Sequence, residues 1–156
     1  MLKSGKPLVI DADGINTLSE CIELLRLSKA PLILTPHPGE MSRLINLPVS
    51  EIEANRPKIA SKFAKKYGCT LILKGSNTIV ADKNGNVSFN ILGNSGMATG
   101  GSGDVLAGIT VSYLAQGYSA EDSAKFAVYT HSLSADKAAV KRSEHALLPT
   151  DIIEEL

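Results

Sequence analysis

Short apolar runs alternate along this chain with longer stretches of helical period, and that alternation leaves few architectures open. Pro7 to Asp11 is an apolar run ending in an acid and reads as a buried strand. From Leu18 to Ser28, apolar residues at 18, 21, 22, 24, 25 and 27 mark a helix buried on one broad face. Pro31 then introduces Leu32-Ile33-Leu34, a second strand. Two prolines in Thr35-Pro36-His37-Pro38-Gly39 break any ladder, and Glu40 to Ile45 restarts a helix. Ser50 with Glu53 three residues on reads as a capping box, opening a helix to Tyr67 with a bend at Pro57 and Gly68 as its stop. Thr70 to Lys74 and Thr78 to Ala81 are strands, and Asn84-Gly85 signals a hairpin into Val87 to Asn90. Helices follow over Asp104 to Ala115 and Ala120 to Ala139, and Pro149-Thr150 opens a short last one. Strands alternating with helices imply an α/β fold with a mainly parallel sheet, read as one domain over 1–156. Ligands of such sheets bind beyond the carboxyl ends of the strands. Asp11 and Asp13, His37 and Lys74 all follow strands at such ends.

Composition narrows the function. Lys plus Arg and Asp plus Glu each number 16, so the net charge is zero. A nucleic-acid or anionic-membrane partner would favour a basic excess, so neither is expected. No apolar run approaches the roughly 18–20 residues of a membrane span. The first six residues lack the apolar stretch of a signal peptide. Cys21 and Cys69 sit in apolar segments and read as reduced core residues, which suits a cytoplasmic protein. His131 and His145 read as structural or surface residues.

The segment from Gly93 to Gly108 holds six glycines. Glycine lets backbone N–H groups approach a ligand, and a helix starting here aims its free N–H groups and positive dipole end at the same point. That is a phosphate cradle, although no Lys-Ser/Thr pair follows the glycines as in a Walker A loop. Asp104, at the start of the helix, would repel a phosphate. It either caps the helix or accepts a hydroxyl proton during phosphoryl transfer. On spacing alone both roles stand.

The stretch Gly-Met-Ala-Thr-Gly-Gly-Ser-Gly-Asp-Val-Leu-Ala-Gly (96–108) resembles the signature of the NAD(P)H-hydrate dehydratase family, with Ser102 where the family usually has Thr. Asp11-Ala-Asp-Gly-Ile-Asn16, Leu34-Thr-Pro-His-Pro-Gly-Glu-Met41 and Leu73-Lys-Gly-Ser-Asn-Thr78 agree in order and spacing. The resemblance implies a ribokinase-like three-layer α/β/α sandwich, truncated at the amino end. It implies Asp104 as base and substrate contact, with His37, Asn16 and Asp13 also at the substrate. Lys74, Gly75, Ser76, Asn77 and Thr78 would bind nucleotide together with Gly100 and Gly103. Gly100 and Gly101 would shape an anion hole, and Glu40 would organise Mg2+ through water.

The implied reaction is metabolite repair. ADP or ATP phosphorylates the hydroxyl of a hydrated NADH or NADPH (NADHX or NADPHX), and loss of phosphate restores the ring double bond. A vitamin-alcohol kinase of the same fold, or a non-catalytic nucleotide-binding subunit, is the alternative. The family's domain is longer at its amino end, so an open sheet edge is expected here, covered by a homo-oligomer or another chain.

Overall fold

The structure, a computed structural model, describes residue 2 and residues 4–156. Met1 and Lys3, in the opening stretch read for a leader, lie outside the described residues. Five strands form one sheet in the order β1-β2-β3-β4-β5: Leu8–Ile10, Leu32–Leu34, Thr70–Leu73, Ile79–Ala81 and Val87–Phe89. β1 and β3 both pair with β2 in parallel, whereas β4 pairs antiparallel with β3 and β5 antiparallel with β4. Only β4 therefore runs against the rest, and the sheet is mixed. The reversal follows from the local sequence. Ser76-Asn77-Thr78 and Asn84-Gly85 leave too few residues for a crossover helix, so both connections are hairpins. Gly85 has φ +90°, the backbone a tight turn needs.

Period-two alternation sends the strand side chains into two cores. Leu32, Leu34, Leu71, Leu73, Ile79 and Ala81 pack on one side against Ile15 and Leu18 of α1 (Asp13–Ser19), Met41 and Leu44 of α2 (Pro38–Ile45), Ile52 of α3 (Val49–Ala54) and Phe63 of α4 (Arg56–Tyr67). Ile33, Ile72 and Val80 pack on the other side. There they meet Leu106 and Ile109 of α5 (Ser102–Ala115) and Ala124, Ala127 and Val128 of α6 (Ala120–Arg142). A smaller cluster of Ala135, Ala138, Leu147 and Ile152 fastens α7 (Pro149–Glu154) to α6. The result is helix, sheet and helix layers. Each of the buried Leu, Ile, Val, Met and Phe side chains contributes about 1.5–3 kcal/mol by leaving water, and each alanine less than about 1 kcal/mol.

Several boundaries differ from the sequence reading, each for a local reason. The stretch 18–28 is not one helix. α1 begins at Asp13 and ends at Ser19, and Ile22–Leu27 forms a separate 3₁₀ turn. The Ser50–Glu53 capping box does not form, because the chain enters α3 two residues earlier, with Pro48 at the cap and Ser50 already helical. Pro57 marks a break and not a bend: α3 stops at Ala54, and α4 starts afresh with Pro57 in its first turn, where a missing N–H costs nothing. Gly68 closes α4 at φ +64° as expected. Cys69 is buried, but Cys21 is only half-buried, with Sγ on the carbonyl of Thr17, so one of the two expected core cysteines lies at the margin. Both thiols are free, and burial pushes Cys69 up to about 12.

Candidate functional site

The carboxyl ends of β1, β2 and β3 deliver their charged residues to one point. Lys74 Nζ lies 2.9 Å from Asp11 Oδ1 and 3.8 Å from Glu40 Oε2, all three side chains being mostly buried. The backbone N–H of Lys74 donates to Pro36 O at 2.9 Å, which ties the end of β3 to the loop after β2. Asp11 reaches Lys74 through a tight turn. Ala12, between Asp11 and α1, has φ +48° and ψ −118°, a backbone state that costs on the order of 1–3 kcal/mol in a residue with a Cβ.

His37 and Glu40 form a reciprocal cap on α2. His37 Nδ1 accepts from the N–H groups of Gly39 and Glu40 at 3.0 and 3.3 Å. Glu40 Oε2 in turn accepts from the His37 N–H at 2.8 Å. Accepting at Nδ1 puts the hydrogen of neutral His37 on Nε2, which lies 3.6 Å from Glu40 Oε1 on the half-exposed side of the ring. The first-turn acid of α2 therefore satisfies the His37 N–H of its own loop while facing Lys74.

The start of α5 approaches the same point from the opposite layer. An ideal Cβ on Gly103 would stand 3.4 Å from Lys74 Nζ and 3.9 Å from Asp11 Oδ2. A Cβ there would be in ordinary van der Waals contact with the ammonium, so the first turn of α5 and Lys74 face each other at close range. Gly101, at φ +91°, is the residue before the helix, and no side chain caps it. The capping role open to Asp104 on sequence is thus not taken. Asp104 sits in the first turn with its side chain exposed.

A cleft of about 750 Å³ opens beside this junction. One wall is the segment from Lys74 to Thr78, with His37 nearby; another is Ser95, Met97, Ala98, Thr99, Ser102 and Gly103. Ile91, Leu92, Leu106 and Val128 supply an apolar wall. Lys74, Gly75, Ser76, Asn77, Thr78, His37 and Gly103 are therefore brought together as the sequence predicted. Gly100, Gly101 and Asp104 stand at the rim and do not line the cleft. Asn16 and Asp13 lie on α1, away from it. Asn16 Oδ1 accepts from Arg43 Nε at 2.8 Å, and its Nδ2 lies 3.4 Å from Asp13 Oδ1. It is Asp11, named as a strand-end acid but not as a site residue, that reaches Lys74.

Two further groups had no signal in the sequence. His131, on α6, is buried, and its Nε2 lies 3.3 Å from Ser102 Oγ at the start of α5. Burial holds it well below the ordinary histidine range, at about 4, and the bond to Ser102 offsets this only partly, so the ring is neutral at pH 7. Carboxylates clasp the glycine loop: Asp136 accepts from the Gly93 N–H and from Asn94 Nδ2, each at 2.9 Å, and Glu144 accepts from Ser95 Oγ at 2.6 Å. Asp136 anchors the loop to α6, and Glu144 anchors it to the turn that follows α6.

Asp11 and Glu40 are the two carboxylates paired with Lys74, and among the described residues no group of three His, Cys, Asp or Glu side chains could cage a metal. This donor set suits magnesium, which keeps most of its waters and shares phosphate oxygens.

The sequence matches the NAD(P)H-hydrate dehydratase family over residues 1–156. It is 41% identical over 148 residues to the bifunctional NAD(P)H-hydrate repair enzyme Nnr of Moorella thermoacetica, covering 95% of this chain and 28% of that protein. It is 42% identical over 135 residues to the ADP-dependent (S)-NAD(P)H-hydrate dehydratase of Neisseria meningitidis, covering 85% of this chain and 46% of that one. The ADP/ATP-dependent NAD(P)H-hydrate dehydratase of Bacillus subtilis, co-crystallised with ATP and Mg2+ and soaked with CoA, superposes with a TM-score of 0.85 at 28% identity, covering 99% of this chain and 56% of that chain. The chain thus spans less than half the length of these two curated relatives. Its sheet, its glycine loop and its full-length sequence match lead to one assignment: this chain belongs to the NAD(P)H-hydrate dehydratase family, on a ribokinase-like α/β fold.

Proposed function

We propose that this chain, acting as one ribokinase-like domain, carries the nucleotide-dependent step of NAD(P)H-hydrate repair. The observation that carries the reading is the meeting of Gly103, at the start of α5, with Lys74 at the end of β3. A helix N-terminus and a held cation converge on one point, which is the electrostatics a transferring phosphoryl group needs. The segment from Lys74 to Thr78 with Gly103 takes the nucleotide, ADP or ATP, and the apolar wall of Ile91, Leu92, Leu106 and Val128 suits its base. Gly100 and Gly101 turn their backbone toward the phosphoryl group at the rim. His37 offers its Nε2–H to the hydrated nicotinamide, NADHX or NADPHX. Asn16, held by Arg43, and Asp13 beside it on α1 serve as further substrate-side groups. Asp104, exposed and free of capping duty, takes the ring hydroxyl's proton as the phosphoryl group is transferred. Magnesium, carried in with the nucleotide, supplies charge neutralisation, and Glu40 and Asp11 would hold it through water.

Two free thiols suit a reducing, cytoplasmic setting. The outer edge of β1, whose Leu8, Val9 and Ile10 are all half-buried, has no strand beside it among the described residues, and a second copy or another segment covers it.

The test is recovery of reduced-nicotinamide absorbance from hydrated NADH with magnesium and either ADP or ATP. Recovery that depends on nucleotide is expected. Asp104→Asn should bind nucleotide as the parent does and lose about 10²–10⁴ in turnover, as removal of a general base does. Full activity in Asp104→Asn would remove the base from this scheme. No recovery by the parent together with no nucleotide binding would remove the scheme itself.

A further inference from the structure

Behind the nucleotide segment lies a charge that the reaction scheme does not use. Arg56 is almost fully buried, with a side chain 11% exposed. Its placement is locally unfavourable. It is the first residue of α4, where the positive end of the helix dipole opposes a cation, and a buried guanidinium loses its hydration. Neither helix propensity nor core packing accounts for it, so its partners must. Arg56 Nη2 donates to the carbonyls of Leu73 at 3.1 Å and Lys74 at 3.2 Å, and Nη1 donates to half-exposed Glu53 at 3.3 Å.

Those two carbonyls are the last of β3 and the first beyond it. Lys74 is therefore held on both sides of its backbone, its N–H on Pro36 O and its C=O on Arg56. The next residue is matched to the guanidinium by shape. Gly75 has φ +144°, and a Cβ there would lie 2.2 Å from Arg56 Nη1. The guanidinium thus occupies the space a side chain would take, and the chain passes over it into Ser76, Asn77 and Thr78, which line the cleft.

We propose that Arg56 is a positioning residue for nucleotide binding: it fixes the path of residues 74–78 from behind the cleft, and so sets the affinity for the nucleotide without touching it. The proposal rests on the reading of the cleft as a nucleotide site. A lysine cannot replace it. An ammonium keeps the charge and most of the stem but lacks the planar fork that holds two carbonyls and Glu53 together.

The experiment compares the parent, Arg56→Lys and Gly75→Ala by thermal melting, ADP affinity by calorimetry, and amide exchange of residues 75–78. Arg56→Lys should stay folded but melt a few degrees lower, because an ammonium cannot serve both carbonyls and Glu53. Its Kd for ADP should rise about tenfold, the equivalent of one lost charge-assisted bond. Exchange at residues 75–78 should quicken, and turnover at saturating nucleotide should change far less than KM. Gly75→Ala should weaken ADP binding in the parent and by a smaller factor in the Arg56→Lys background, since the two residues share one space. An Arg56→Lys protein with parental Kd and parental exchange at 75–78 overturns the proposal while leaving the nucleotide site standing. A parent that binds no ADP overturns the site reading, and with it the link from Arg56 to affinity; the exchange data then decide separately whether Arg56 orders the segment.

Discussion

Lys74 is described better by what holds it than by its charge. Asp11 and Glu40 flank its ammonium, and Pro36 and Arg56 hold its backbone. A lysine so fixed presents its charge with little reorganisation, which is the property a phosphoryl site requires. His131 plays the opposite part, a titratable group kept uncharged. Its folded value of about 4 lies below the ordinary value near 6.5, so in that interval the unfolded chain binds a proton that the folded chain does not. Stability is therefore fully present above about pH 6.5 and is lost as pH falls toward 4, by about 3 kcal/mol from this residue. Denaturant unfolding at pH 7 and pH 4.5 measures the loss, and His131→Gln should reduce the difference between the two. An equal difference in parent and variant would show that His131 is not its source.

At the scale of elements, the glycine loop and α6 form one unit. Asp136 and Glu144 hold the loop, and His131 meets the first residue of α5. Within the loop Gly96 is the tightest point, because a Cβ there would lie 2.3 Å from the backbone carbonyl of Glu144. Backbone cannot step aside as a flexible side chain can. Gly96→Ala should therefore cost about 1–3 kcal/mol of stability, in the range of overpacked sites, and should weaken nucleotide binding by moving the cleft wall. Urea denaturation and calorimetry read the two effects. A variant with parental values for both would show that the loop is looser than its contacts imply.

The two apolar cores place the cleft at one end of the sheet, where the carboxyl ends of β1, β2 and β3 meet the start of α5. Both margins of the sheet, β1 and β5, have an unpaired outer edge among the described residues, and both present half-buried residues there. Sedimentation velocity across a concentration series should show association of the isolated chain, and Val9→Lys should weaken it by placing a charge on the edge strand. A strict monomer throughout would leave the edge uncovered and remove self-association from the scheme. No helix among the described residues is long and apolar enough to cross a membrane.

Much of this was readable along the chain, because the forces concerned are local. Leu32-Ile33-Leu34 could only be a strand between Pro31 and Pro36, Gly68 alone could take the left-handed turn that ends α4, and Asn84-Gly85 could only reverse the chain. The motifs carried the family as well. What the sequence could not decide were choices between equals. Asp11 and Asp13 are two acids of one motif, yet the turn at Ala12 sends only Asp11 to Lys74. Ser50 with Glu53 has capping-box spacing, yet Pro48 caps α3 two residues early and leaves Ser50 inside the helix, whereas His37 and Glu40 do form such a box on α2. Arg56 looks like a first-turn surface residue until β3 is laid beside it, and His131 meets Ser102 across 29 positions of sequence. Backbone preference and hydrophobic period act between neighbours and are written in the chain order. The pairing of a buried charge with its acceptors depends on which elements pack together, and that is settled only when the sheet and its two helical layers close.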